Sequence, residues 1–333
     1  PQVTIETDYD AASQQYRLVC QQSCPATPDQ TDKKPFQIPL AIGLLDAAGN
    51  DMPLTLAGAV EPAVNTLVLD LKEERQEFIL DGVAEQPVLS PLRGFSAPIH
   101  LDYLQPDTEL AFRMAHDSDP FNRWEAAQQL AQRELLATVD SPEAPVLSDL
   151  FVGSWILALA DQDVDAGLLT QLLTLPSEVY LGEQMSAIDP SHIHQVRKSA
   201  RLQLAKAARG SLLERFRMGR QEQPYGLAPQ QVGGRSLKNS CLAMLMLLED
   251  VEATDLCLQQ YEFATNMTDR LAALACLASS RVQQRQAILE DFYLRWQKQP
   301  LVVDKWFMLQ ATADRQSICD DVRTCLLYTS DAA

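Results

Sequence analysis

The first hundred residues alternate apolar and polar positions with a period of two. In FQIPLAIGL, the apolar residues Phe36, Ile38, Leu40, Ile42 and Leu44 fall on every second position, so all five are expected on one face of a strand. Similar runs occur near residues 3–5, 16–20, 67–71 and 99–103, separated by turn signals such as DAAGN at 46–50. Some seven short strands at this spacing predict a small antiparallel sandwich, with His100 facing solvent on the last strand.

Near Pro106 the period changes to that of helices. Asp119 and Pro120 form a good helix start, an N-cap followed by proline at the first helical position. Apolar residues at helical spacing then run from 121 to 135. Further helices are predicted around 146–160, 165–175, 190–217, 235–249, 253–264, 268–279, 282–298 and 301–312, with starts also at Asp189-Pro190 and Asn266. Short connections and a repeat of about 40 residues per helix pair predict a HEAT- or armadillo-like solenoid.

The stretch PLVVDKWFMLQAT, residues 300–312, is apolar nearly all round when it is placed on a helix. On a helix only Asp304, Lys305 and Gln310 interrupt its apolar surface, and a helix that is apolar nearly all round packs between neighbours. We therefore interpret it as an inner helix of the solenoid, in preference to a cofactor-binding element.

Composition narrows the possible partners. Lys and Arg number 27 against 45 Asp and Glu, a net charge of −18, so a nucleic-acid partner is not expected. No apolar run reaches the roughly 18 residues of a membrane span, so no membrane partner is expected. The seven cysteines are irregularly spaced, at positions 20, 24, 241, 257, 276, 319 and 325. Free thiols in a reducing compartment fit this pattern, which predicts a cytoplasmic protein.

A search for catalytic motifs finds none. His192 and His194 are the tempting metal pair, but on a helix residues i and i+2 point to different sides. The stretches GFSAP at 94–98 and VGGRS at 232–236 fail the nucleophile-elbow and phosphate-loop patterns. The acidic pairs Glu73-Glu74 and Asp320-Asp321 are interpreted as solvated faces. The residues therefore give no catalytic, cofactor-binding or metal-binding assignment.

Several segments resemble one known family, the bacterial aminopeptidase N (alanyl aminopeptidase) family. Residues 25–49 and 94–103 resemble its Ig-like domain; residues 119–130, 172–178, 266–275 and 302–312 resemble its C-terminal helical domain. The resemblance implies a multidomain β + α chain, with an Ig-like β-sandwich at 1–104 and an all-α solenoid at 105–324. The remaining residues, 325–333 (CLLYTSDAA), depart from the family and are interpreted as a non-native, adaptor-derived tail.

The family is one of zinc-dependent exopeptidases that remove N-terminal amino acids from peptides. Its zinc-binding H-E-x-x-H helix and its G-A-M-E-N segment precede the Ig-like domain, and neither occurs here. The resemblance therefore implies zinc in the parent enzyme and none bound by this chain. It implies as partners the catalytic domain of the same polypeptide and the parent's peptide substrates. The expected role is to cap the active-site chamber and restrict access, in a solenoid that is cut partway and leaves an uncovered face on its last helix.

Two other functions remain open from the sequence. The chain could be a free-standing Ig-like and helical-repeat module that binds other proteins without enzymatic activity. It could also be an enzyme with an unfamiliar site that uses Cys20 or Cys24 as its nucleophile, which requires a histidine partner in space.

Overall fold

The computed structural model describes residues 1–59, 63–140, 146–220, 224–315 and 317–323, without the side chain of Asp140. The chain divides into two compact units. The first contains Pro1–Ala158 and Gln171–Ile193, and the second contains Leu159–Thr170 and His194–Ala333.

In the described part of the first unit, seven strands form two sheets. They are β1 (Gln2–Asp10), β2 (Gln15–Ser23), β3 (Ile38–Leu45), β4 (Leu67–Leu71), β5 (Arg75–Asp81), β6 (Val88–Pro91) and β7 (His100–Asp102). One sheet has the order β5-β2-β1-β7 and the other β4-β3-β6. Neighbouring strands are antiparallel, except that β7 pairs parallel to β1. The predicted sandwich is therefore present, with one short parallel edge that the alternation pattern alone does not reveal.

The core of the sandwich consists of the alternating residues of the sequence pattern. Val3 and Leu18 from one sheet and Leu40 and Leu69 from the other belong to a single buried cluster. His100 is exposed, as predicted. Phe36 is a correction, because it is 42% exposed and precedes β3. Its backbone N–H and C=O are both held by the side-chain amide of Gln22, at 2.8 Å each, which keeps this residue outside the strand.

Twelve helices in the described residues have the following bounds: α1 (Asp107–His116), α2 (Pro120–Asp140), α3 (Asp149–Ala160), α4 (Ala166–Leu172), α5 (Glu178–Glu183), α6 (Pro190–Ala207), α7 (Arg209–Met218), α8 (Pro229–Leu245), α9 (Val251–Phe263), α10 (Met267–Ser279), α11 (Arg285–Trp296) and α12 (Pro300–Ala311). Residues 318–323 are also helical. In the second unit, α7 packs on α8, α9 on α10 and α11 on α12, while α10 also contacts both α8 and α12. Such contacts between alternate helices are typical of stacked helical repeats.

The three helix starts predicted from side-chain caps are confirmed. Asp119 Oδ1 accepts a hydrogen bond from the backbone N–H of Asn122 at 2.9 Å. The N–H of His192 donates to Asp189 Oδ1 at 3.0 Å, and the N–H of Asp269 donates to Asn266 Oδ1 at 2.9 Å. Each cap satisfies a backbone donor that has no partner within its own helix.

Other helix predictions need correction. The single helix expected at 190–217 is wrong, because Ala208 (φ −105°, ψ 15°) separates α6 from α7. After this break, Arg215 of α7 donates from Nε to the carbonyl of Leu159 at 2.6 Å, a tertiary contact that no local pattern signals. Helices α1 and α5 were not predicted, and α8 begins at Pro229 rather than near residue 235.

The apolar helix α12 is less buried than predicted. Trp306 and Gln310 are buried, and Trp306 Nε1 donates to the carbonyl of Leu289 at 2.8 Å. Leu301 and Met308 are 79% and 52% exposed. Its main contacts are with α10 and α11, so one side is covered and the other is open. The interpretation as a helix enclosed on all sides is wrong for this structure.

A buried ionic cluster connects the sandwich to α1 and α2 within the first unit. Asp117, whose side chain is 0% exposed, lies 3.4 Å from Arg93 Nη2 and 3.3 Å from Arg113 Nε. Arg93 comes from the turn after β6 and also pairs with Asp51 at 2.6 Å. Ser90 Oγ donates to Asp117 Oδ1 at 3.1 Å. Asp117 and Asp51 together supply two negative charges to the two buried guanidinium groups.

Two glycines make room for this connection. A Cβ on Gly43 of β3 would lie 2.0 Å from Cζ of Arg93, inside the guanidinium itself. A Cβ on Gly49 would lie 2.6 Å from Cβ of His116, and the φ of +87° at Gly49 disfavours other residues. Glycine at position 43 therefore leaves space for the side chain of Arg93, and glycine at position 49 leaves space for His116 of α1.

Asp117→Ala tests the energetic weight of the cluster. The change leaves Arg93 and Arg113 buried without their shared carboxylate, so it should lower the free energy of unfolding by about 3–5 kcal/mol. Urea titration of the purified chain measures this loss.

The matched control is Arg17→Ala, which breaks the exposed pair with Glu77 and should leave the urea midpoint nearly unchanged. Equal midpoints for wild type and Asp117→Ala would show that the cluster contributes little.

Candidate functional site

The histidines singled out in the sequence do not assemble a metal site. Both His192 and His194 lie on α6. Nε2 of His194 is 3.7 Å from Oδ1 of Asp314, and Lys198 Nζ contacts the same carboxylate at 2.5 Å. In the part of the chain that the structure describes, no three His, Cys, Asp or Glu side chains are grouped to hold a metal.

Cys20 does not suit the role of a nucleophile. Its side chain is wholly buried in β2, and burial raises the pKa of the thiol to about 11. At neutral pH this leaves roughly one thiol in ten thousand as the reactive thiolate. Cys24 is half-buried, and the cysteines within the described ranges form no disulfide.

The acidic pairs differ from each other. Glu73 and Glu74 are exposed, as interpreted from the sequence. Asp321 is not part of a solvated face, since its Oδ2 is 2.8 Å from Nη2 of the buried Arg285. It is a structural ion pair rather than an acid or base.

The second unit contains two adjoining cavities that share Tyr225 and Arg235. The first, of about 290 Å³, is lined by residues of α7, α8, α9 and the turn before α10. The second, of about 540 Å³, lies along α8 and α10. Concave sites of this size, with mixed apolar and polar walls, are the usual place for small-molecule binding.

Lys238 and Asp269 form the polar wall of the first cavity. Nζ of Lys238 is 2.6 Å from Oδ2 of Asp269, and both side chains are 9% exposed. Asn239 and Asn266 donate to the same carboxylate at 3.0 and 2.9 Å. Burial favours a raised pKa for Asp269, but the hydrogen bonds and charge of these neighbours hold the pKa of the carboxyl below its ordinary value. The ammonium and carboxylate neutralise each other.

Arg235 is a buried cation without a carboxylate partner among the described residues. The residue is 5% exposed. Its guanidinium carbon lies 4.7 Å from the ring centroid of Tyr225, and Nη2 donates to the carbonyl of Gly226 at 2.9 Å. Other buried arginines, including Arg93 and Arg285, are paired with aspartates. Arg235 instead lines both cavities, and none of the carboxylates that the structure describes is paired with it.

Sequence reasoning passed over Arg235 because it lies in VGGRS, which was tested only as a phosphate loop. The segment is part of α8. A Cβ on Gly233 would lie 2.7 Å from the backbone nitrogen of Gly167, so this glycine permits close packing. The α-helical spacing of Arg235, Lys238 and Asn239, at i, i+3 and i+4, is the one signal that places them on a common face.

Asp269→Asn tests the electrostatics of the cavity wall. The variant leaves the buried Lys238 ammonium unpaired and should be several kcal/mol less stable at pH 7. Because the pKa of Asp269 is lower in the folded state, its contribution is fully present above about pH 4, the unfolded value. It is lost as the pH falls through the lower folded pKa. Urea midpoints of wild type and variant should therefore converge below pH 4.

Asp320→Asn is the matched control, because that side chain is 80% exposed; its midpoint should follow wild type at every pH. A gap between wild type and Asp269→Asn that stays constant from pH 7 to 3 would contradict the assignment.

Comparison with known protein families gives two matches along the chain. Residues 1–104 match a domain described as DUF3458, with an Ig-like fold, and residues 107–329 match one described as DUF3458_C, with ARM repeats. The predicted fold class, an Ig-like sandwich followed by a helical-repeat region, is confirmed. The predicted domain boundaries and the non-native tail remain predictions, and the tail lies outside the described residues.

Curated relatives and a solved structure agree with these matches. The chain is 36% identical to aminopeptidase N of Escherichia coli (strain K12) and 32% identical to that of Haemophilus influenzae, over 99% of this chain and 38% of each relative. A crystal structure of Legionella pneumophila aminopeptidase A in complex with aspartic acid has a TM-score of 0.75 and 26% identity, over 97% of this chain and 37% of that chain. The chain thus spans less than two fifths of the length of these relatives. It belongs to the aminopeptidase N family, matching that family's Ig-like and ARM-repeat domains.

Proposed function

We propose that this chain is a non-catalytic part of a zinc-dependent aminopeptidase that removes N-terminal amino acids from peptides. The observation that supports this most is the homology to aminopeptidase N over 99% of the chain and only 38% of the relative. Relatives of that length have ample sequence outside this region for a separate catalytic domain, which is the proposed partner in the same polypeptide.

The residues described here do not fit zinc. His194 shares Asp314 with the ammonium of Lys198, which repels a cation, and no third ligand is grouped with them in the described ranges. We therefore assign the zinc, and the chemistry it supplies, to the catalytic domain of the parent.

The role proposed for this chain is to cap the active-site chamber and restrict entry to peptides. A stacked-helix region is suited to this task, because its repeats build an extended rigid surface. The cluster around Asp117 supports the role by fixing α1 and α2 to the sandwich.

We also propose a cytoplasmic location for the parent. Cys241 and Cys257 are buried and unpaired, as expected for a reducing compartment. In the part of the chain that the structure describes, no helix has both the length and the apolar character that crossing a bilayer requires.

The first test concerns catalysis by the isolated chain. After incubation with zinc and gel filtration, the chain should retain far less than one equivalent of metal and should not hydrolyse alanine p-nitroanilide. Aminopeptidase N from Escherichia coli, treated identically, is the positive control. Stoichiometric zinc together with chelator-sensitive turnover would contradict the proposal.

The second test concerns capping. The catalytic portion of the parent, produced without the region homologous to this chain, should bind the chain on gel filtration. Adding the chain should lower cleavage at the N-termini of folded proteins more than cleavage of alanine p-nitroanilide, because the cap excludes large substrates. Heat-denatured chain serves as the control. Failure to associate, with selectivity unchanged, would instead favour the free-standing binding module.

A further inference from the structure

We propose that the two cavities beside Arg235 form a binding site for a small monocarboxylate with an apolar body. The carboxylate pairs with the guanidinium of Arg235, and the apolar body lies in the larger cavity along α8 and α10. This site does not depend on the proposed function, because every residue in it belongs to this chain and it requires no catalytic domain.

The guanidinium of Arg235 has hydrogen-bond donors and a charge that a ligand can use. Arginine carries five N–H donors and keeps its charge at all ordinary pH values. Arg235 uses a donor on Nη2 for the carbonyl of Gly226 and stacks on Tyr225. Its other donors have no protein partner among the described residues. A cation that is 5% exposed and lacks an anion is costly, so the position is suited to an anion that arrives with a ligand.

The neighbours of Arg235 hold its guanidinium in a defined orientation and leave it accessible to a ligand. Tyr225 fixes the plane of the guanidinium, at 4.7 Å from its ring centroid. The neighbouring cation, Lys238, is already matched by Asp269 at 2.6 Å and does not compete for the ligand. The edge of a fixed, planar guanidinium matches the two oxygens of a carboxylate.

The charges in the cavity lining and in the whole chain favour a ligand with a single carboxylate. Among the described residues of the lining, the other cation without a carboxylate partner is the exposed Arg220, which donates to Oε1 of Gln259 and lies 5.5 Å from the Phe216 ring. The chain as a whole carries −18, which repels polyanions such as nucleic acid. Arg235 is thus the one buried cation of the described lining without a carboxylate, which favours a singly charged ligand.

The larger cavity has apolar side chains that the apolar body of the ligand can cover. Tyr225, Leu227 and Val232 line the larger cavity and are 54%, 76% and 46% exposed. Ala243 and Ala272 also belong to the lining of this cavity. A ligand that pairs with Arg235 can cover these side chains and remove their apolar surface from water.

Isothermal titration of the full chain tests the proposal, with N-acetylphenylalanine, N-acetylphenylalaninamide and inorganic phosphate as probes. The acid should bind with saturation below about 10 mM, and the amide at least about tenfold more weakly, since it lacks the charge. A peptide of four residues ending in phenylalanine distinguishes a peptide C-terminus from a free acyl amino acid as the source of the carboxylate.

Arg235→Gln should reduce binding of the acid to the level of the amide. Arg281→Gln is the matched control, because that side chain is 86% exposed and lines neither cavity. Ala243→Phe fills the larger cavity and should abolish binding while Arg235 remains, which keeps the test decisive if Arg235→Gln fails to fold. Circular dichroism checks folding of each variant.

Equal binding of acid and amide, unchanged binding by a folded Ala243→Phe variant, or tighter binding of phosphate than of the acid would overturn the proposal. Absence of saturable binding by the folded wild-type chain up to about 10 mM, the limit set above, would do the same.

Discussion

The carboxylate of Asp117 is the interaction on which the first unit depends. It is fully buried, and it lies within 3.4 Å of Arg93 and 3.3 Å of Arg113. Arg93 comes from the sandwich and Asp117 directly follows α1, so their contact requires the two elements to be together. Removing the carboxylate would leave the buried Arg113 without a carboxylate and Arg93 with Asp51 alone, whereas an apolar interface would tolerate sliding. The cluster therefore gives this junction a specific geometry as well as stability.

The second unit contains both a paired buried cation and one without a carboxylate partner among the described residues. Lys238 on α8 and Asp269 on α10 form a buried ion pair, as the charged residues around Asp117 do. Arg235, one helical turn away, is buried without a carboxylate among the described residues. A buried cation is costly unless an anion is paired with it, and a ligand can supply that anion. This contrast between adjacent side chains is the reason to regard the cavities as a binding site rather than as packing defects.

The sequence predicted the parts of the structure that follow from periodic burial. Alternation located the strand core, and polar caps located three helix starts, because both depend on residues close in the chain. The predicted burial of Phe36 and of the apolar helix α12 was wrong, because burial depends on residues distant in sequence, which a local pattern does not contain. The Asp117 cluster joins residues 24 positions apart and gives no periodic signal. Arg235 gives no sequence signal either, because only the fold shows that it lacks a carboxylate partner among the described residues.

The central claim of this account is that the sandwich and its first two helices form one cooperative body held by Asp117. Hydrogen exchange measured by mass spectrometry on the native chain tests it directly. We expect amides of α1 and α2 to exchange with the same opening free energy as those of β3 and β6, and expect Asp117→Ala to lower both together. Exchange from α1 and α2 that is faster than from β3, and unaffected by the variant, would contradict the claim.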